Sequence, residues 1–171
     1  MVAMPKVIRT VAIVVGLLGV ASFVSAQPAA STALGAVARI YQDFAAEAVI
    51  DTPELSVQDL FGRPKAAMAR YLDDPLIALV LADRECSRRT QGVCALDFSP
   101  IWDAQDPVGA TVKMSAGKDA GRVLAEIHYP QNVVRRLTYV MRRSAAGWRV
   151  HDIEYDSHTS LVTMLKGKAK R

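Results

Sequence analysis

The sequence predicts an α+β domain, with N-terminal helices packed on a curved antiparallel sheet. Two observations carry this reading. Through the first half, apolar residues recur at three- and four-residue steps, as on one face of a helix. From about residue 110 the period drops to two, in segments separated by turns rich in Gly, Pro and Asn. The helical period does not return between the strands, which argues for a meander and against βαβ units.

The first 26 residues predict a destination. Lys6 and Arg9 precede an apolar run over 11–20, and Val24-Ser25-Ala26 places a small residue just before Gln27. That order is the layout of a secretory signal peptide cleaved after Ala26. An uncleaved membrane anchor is the rival, but the run is short against about 30 Å of hydrocarbon. No Cys follows the run, so a lipid anchor is not expected. Of 171 residues, 145 then remain, enough for one domain. A chain of that size buries roughly two-thirds of its unfolded surface.

The formal charge of +4 includes Lys6 and Arg9; without them 19 basic residues face 17 acidic ones. So small an excess gives no argument for nucleic acid. What remains is concentrated in a basic tail over 166–171, with Lys166, Lys168, Lys170 and Arg171. Such a tail reads as a solvated terminus.

Residues 27–32 form a small-residue linker, and Ser31 or Thr32 can cap the helix that follows. Leu34, Val37, Ala38, Tyr41, Phe44, Ala45, Ala48 and Val49 make one stripe, predicting a single helix up to residue 50. Asp51-Thr52-Pro53 breaks it, and a short helix fits 53–60. Residues 65–72 are helical again. Asp74-Pro75 then starts a helix to about Cys86, with Leu76, Leu79, Val80 and Ala82 as its buried face. The predicted strands are 110–115, 122–129, 133–143 and 148–155. Val123, Ala125 and Ile127 share one face with Leu137, Tyr139 and Met141 of the next strand. Residues 157–166 end the domain, 33–165, as a helix or a fraying end. Tyr41, Phe44 and Trp148 are expected in the core.

Cys86 and Cys94 form an even pair in an exported chain and predict a structural disulfide. Their spacing is wider than that of a redox pair, and no further ligands stand nearby for zinc.

Three segments then resemble a known family: Ile40-Tyr41-Gln42-Asp43-Phe44, the stretch from Asp97 to Asp106, and Trp148-Arg149-Val150-His151-Asp152-Ile153. Together with the helix-then-meander order they resemble the nuclear-transport-factor-two-like superfamily, most closely its bacterial domain of unknown function 3828 family. The resemblance implies a cone-like fold, a sheet wrapped around a helix with a pocket inside. It brings no assigned activity.

The acidic segment holds the best candidate ligand site: Asp97, Asp103 and Asp106, with Gln105 and Trp102 beside them. Oxygen ligands of this kind suit a cation or a polar small molecule. The competing reading is structural, with loop carboxylates bonding backbone N–H groups. Tyr41 and Tyr129 are expected to line the same pocket. Some cone-fold domains are isomerases or dehydratases, for which Asp103, Tyr139 or a meeting of His128 with His151 could supply acid–base groups. No Gly-x-Ser-x-Gly elbow and no glycine-rich phosphate loop occurs. Arg135-Arg136 and Arg142-Arg143 read as solvated strand positions.

The expectation is therefore an exported, periplasmic or secreted, non-catalytic binding domain for an envelope or exported protein, or for a small molecule. An immunity-type or inhibitor protein is one form of it. No cofactor, no metal, no nucleic acid and no membrane span after leader removal are expected; a dimer through the open sheet face is compatible. The alternative is a small pocket enzyme, isomerase- or hydrolase-like. A third class is an envelope protein held by an uncleaved leader.

Overall fold

The computed structural model describes residues 32–50 and 59–168. The expected leader and most of the linker (1–31), the break and helix start at 51–58, and the end of the basic tail (169–171) lie outside the described residues. Helices α1 (Ala33–Asp43), α2 (Ala46–Val49), α3 (Lys65–Met68) and α4 (Asp74–Thr90) come first. Strands β1 (Thr111–Ala116), β2 (Arg122–His128), β3 (Val134–Ser144) and β4 (Gly147–Tyr155) follow, and α5 (Leu161–Lys168) closes the chain. This is the α+β class that the two periods predict. Helix α5 replaces the fraying end and takes in the first residues of the basic tail.

The strands pair in chain order as an antiparallel meander. Val123, Ala125 and Ile127 of β2 and Leu137, Tyr139 and Met141 of β3 face inward, as their alternation requires. On β4 the alternation slips: Val150 and Ile153, three apart, are both buried. The register accounts for it. Val140 faces Asp152 and Met141 faces Val150, leaving His151 as the extra residue of a bulge. A bulge bends its strand and restores the inward phase. Trp148 sits at the hairpin end opposite Arg143 and is only half-buried, not the core anchor expected.

Helix α1 lies across β1, β2 and β4 and carries Val37, Ile40, Tyr41 and Phe44 into the core. Thr32 is its cap, accepting the Gly35 N–H at 3.0 Å. The expected single helix to residue 50 is interrupted at Phe44–Ala45. That break changes which residues face inward. Ala45 and Val49, on the predicted stripe, are exposed, while Glu47 and Ala48 are buried.

Helix α4 begins one residue earlier than expected and runs past Cys86 to Thr90. Its cap is Asp73 rather than Asp74, with Oδ1 accepting the Leu76 N–H at 3.0 Å. Asp73 is held from elsewhere too: its N–H donates to Val150 O at 2.9 Å. Leu76, Ile77, Val80 and Asp83 form the buried face; Ala82 is exposed and Leu79 half-buried. Cys86 and Cys94 are joined as a disulfide, with Cα atoms 6.1 Å apart. Among the described residues no helix is long and apolar enough to cross a membrane.

Candidate functional site

The crossover from α4 to β1 is irregular backbone run through the core, so its polar groups need internal partners. Tyrosines supply them for three consecutive carbonyls. Tyr155 donates to Pro100 O at 3.3 Å, Tyr41 to Ile101 O at 2.8 Å, and Tyr129 to Trp102 O. Tyr139 donates in turn to the Tyr41 hydroxyl. Burial raises the pKa of all four phenols, that of Tyr129 to about 12. Tyr41 and Trp102 meet edge to face, with centroids 5.2 Å apart, and both are buried. Tyr41, Trp102 and Tyr129 thus pin the crossover instead of lining an open pocket.

The acidic residues divide. Asp103 takes a left-handed backbone, φ 53°, and its Oδ2 lies 3.7 Å from Arg135 Nε. Burial raises its pKa against the pull of Arg135. It is not in the wall of the cleft that holds Asp97 and Asp106. Asp106 accepts the Val108 N–H at 3.0 Å, an Asx turn of the structural kind. Asp97 is exposed, and it and Asp106 do share a cleft.

That cleft, about 810 Å³, opens between α2, α4 and the crossover. Its walls hold apolar Phe61, Val80, Leu96 and Phe98 and a set of carboxylates. Glu47 is the unusual member. It is 9% exposed, its Oε2 accepts from Ser99 Oγ at 3.1 Å, and its Oε1, closed to solvent, makes no aligned hydrogen bond. Burial raises its pKa to about 7; Ser99 opposes the rise, Asp59 adds to it, and Trp102 and Arg63 oppose it. The Trp102 Nε1–H, buried beside this carboxyl, makes no aligned hydrogen bond, yet acts on Glu47 as a donor does, lowering its pKa. Ser99 is fixed by its own backbone, its N–H donating to Ala104 O at 2.8 Å. Asp83, opposite, is fully committed: it accepts from Ala95 N and Leu96 N at 2.7 and 3.3 Å.

Sequence reasoning missed Glu47, Ser99 and Asp83. A Glu within a helical run carries no local mark, and Ser99 lies 52 residues away. The break after α1 that turns Glu47 inward is equally unmarked.

The histidines do not meet. His128 ends β2 opposite Val134, whereas His151 is the bulged residue of β4, and β3 lies between. His128 Nε2 sits 2.7 Å from Glu126 Oε1, without hydrogen-bond alignment. His151 Nδ1 lies 2.6 Å from Asp73 Oδ2, at the start of α4 and outside the cleft. An Asp–His contact therefore exists, but it serves a helix cap.

No protein-family model matches the chain. No curated protein matches it either. Among solved structures, the chain is similar to a protein of unknown function from Bacteroides thetaiotaomicron VPI-5482. The two share 17% identity with a TM-score of 0.42, over 71% of this chain and 87% of that one.

Proposed function

We propose that the chain is an exported, non-catalytic binding domain of the nuclear-transport-factor-two-like, cone-shaped kind, close to the domain of unknown function 3828 family. The Glu47–Ser99 cleft is its ligand site, and the periplasm or the exterior is its place of work. Export is supported by the basic, apolar and small-residue order of residues 6–26. It is also supported by the Cys86–Cys94 disulfide, a bond that persists in oxidising compartments.

One observation carries the ligand site: the Glu47 carboxyl, held by Ser99 in the wall of a cleft of about 810 Å³ that is otherwise partly apolar, with its pKa raised by burial to about 7. Burying a carboxyl costs stability, and groups perturbed in this way gather at functional sites. The test is an NMR screen of the isotopically labelled full chain against a fragment mixture. Shifts should gather on the amides of Gly62, Ser99 and Val108. Shifts confined to the outer sheet face, or none at all, would remove the proposal.

A second reading has its own support. A carboxyl that titrates near neutrality can move a proton, as in an isomerase- or hydrolase-like pocket enzyme. A ligand recovered from D2O with deuterium at carbon, or cleaved by water, decides for the enzyme; one recovered unchanged decides for binding.

A further inference from the structure

We infer that the open edge of β1 is an interface with a second copy of this chain, the two β1 strands pairing antiparallel about Met114. The inference is independent of the cleft.

The two edges of the sheet differ. The β4 edge is taken up by the chain itself: Val150 bonds Tyr71 and Asp73, and the Tyr155 N–H donates to Thr159 O at 3.0 Å. On β1 the Gly117 N–H donates to Arg122 O at 2.8 Å, which sets the phase of the ladder. Ser115, Lys113 and Thr111 then bond β2, while Val112, Met114 and Ala116 point their N–H and C=O groups away from it. None of these outward groups has a hydrogen-bond partner among the described residues. Thr111, Lys113, Ser115 and Ala116 are exposed, and Val112 and Met114 are half-buried. Such a row of unpaired donors and acceptors is a template for another strand.

The order of side chains along β1 selects a second copy as the occupant. When the copy is turned about Met114, Val112 meets Ala116 of the second copy, and each outward N–H finds a C=O. On the inner face, where Val112 and Met114 already pack against the core, only apolar residues then meet. On the outer face Lys113 meets Ser115 of the second copy. The neighbouring register, with Val112 opposite Met114, sets Lys113 against Lys113, and like charges directly opposite destabilise a pair. A lysine on an edge strand commonly guards against pairing. Here its position excludes one register and leaves the Met114 register open.

The experiment follows sedimentation of the full chain over a concentration series and probes the register by cross-linking. Lys113→Cys and Ser115→Cys chains, mixed and mildly oxidised, should give a mixed cross-linked dimer, because directly opposed residues lie within disulfide reach. Neither chain should cross-link to itself, since an offset of two residues exceeds that reach. Ser115→Lys sets lysines opposite one another at two symmetric places and should weaken the dimer about tenfold; Ser115→Glu should tighten it. Ala116→Pro removes an outward N–H and no bond to β2, so it should weaken the dimer and leave the melting of the dilute chain unchanged. Ser115 is exposed, so its variants keep the test valid if A116P alters the strand. A chain that is monomeric at every concentration overturns the proposal. So does a dimer that S115K and A116P leave unchanged, which places the contact on another surface, and so does a K113C chain that cross-links to itself as readily as to S115C. An unrelated extended peptide is run alongside on the labelled chain. If it shifts the Val112 and Met114 amides while the chain stays monomeric, the edge takes a different protein and the second copy is overturned as its occupant.

Discussion

Tyr139 donates a hydrogen bond to the Tyr41 hydroxyl at 2.9 Å, and Tyr41 donates its own to Ile101 O at 2.8 Å. The two rings come from the middle of the sheet and from α1, so one hydrogen-bonded chain joins sheet, helix and crossover. Tyr139 is fully buried and Tyr41 nearly so.

The two tyrosines are not equivalent. Tyr139→Phe removes one donor and should cost about 0.5–1.5 kcal/mol. Tyr41→Phe strands both the Ile101 carbonyl and the Tyr139 hydroxyl, so its cost should reach about 2–4 kcal/mol. Urea denaturation of the two variants checks the order. Equal losses would mean that the chain of hydroxyls has no directional logic.

Glu47 makes stability depend on pH. Its pKa is about 7 when folded against 4.5 as the reference value. The folded state therefore holds more protons between those values, and stability falls as pH rises through that window. After solvent screening the loss should be about 1–2 kcal/mol between pH 5 and pH 8. Glu47→Gln should flatten this part of the curve and melt higher than the parent at pH 8. A variant with the parent's pH profile would assign the slope to another group.

Asp83 and the disulfide hold the same piece of backbone. Asp83 takes the Ala95 and Leu96 N–H groups, directly after Cys94. Asp83→Ala should cost about 2–4 kcal/mol by leaving two amides unpaired. Reduction of Cys86–Cys94, separated by 8 residues, should cost about 2–3 kcal/mol in the loop-entropy model. The two losses together should be less than their sum, because each frees the loop the other restrains. Strict additivity in denaturant would show two independent restraints.

Asp103→Asn should change stability by less than about 0.5 kcal/mol, since Asn tolerates the left-handed backbone and the Arg135 contact is long and partly exposed. Fragment shifts at the cleft should be untouched. A tenfold loss of fragment affinity in this variant would restore Asp103 to the site.

What was legible in the sequence was what repeats. The strands and their inward faces follow from local pattern, and the cysteine pair from its even count and spacing. Helix ends were less legible, because Asp73 and Asp74 are both good caps and the choice was made by Val150 and His151, far along the chain. The candidate site was least legible. Asp97 and Asp106, which cluster visibly in the sequence, do line the cleft, whereas Tyr41 and Trp102 are core and the half-buried Tyr129 bonds the crossover. An aromatic residue beside an acid reads alike whether its hydroxyl meets a ligand or a backbone carbonyl. Glu47 became a candidate only once a break in its helix turned it toward Ser99.

The seam between the two halves of the chain has a consequence in time. Asp73 N–H bonds Val150 O, and Val150 N–H bonds Tyr71 O at 2.8 Å. These partners stand far apart in sequence, so the entropy of closing a long loop must be overcome before either bond forms. A polypeptide still emerging N-terminus first has no β4 to offer, and the start of α4 stays unlatched until the last hairpin arrives. Folding completed so late keeps a chain threadable, which the proposed export would require. A chain ending at residue 146 should therefore exchange the amides of Ile77 and Val80 freely, while the full chain protects them. Equal protection in both would mean that the helical half locks alone.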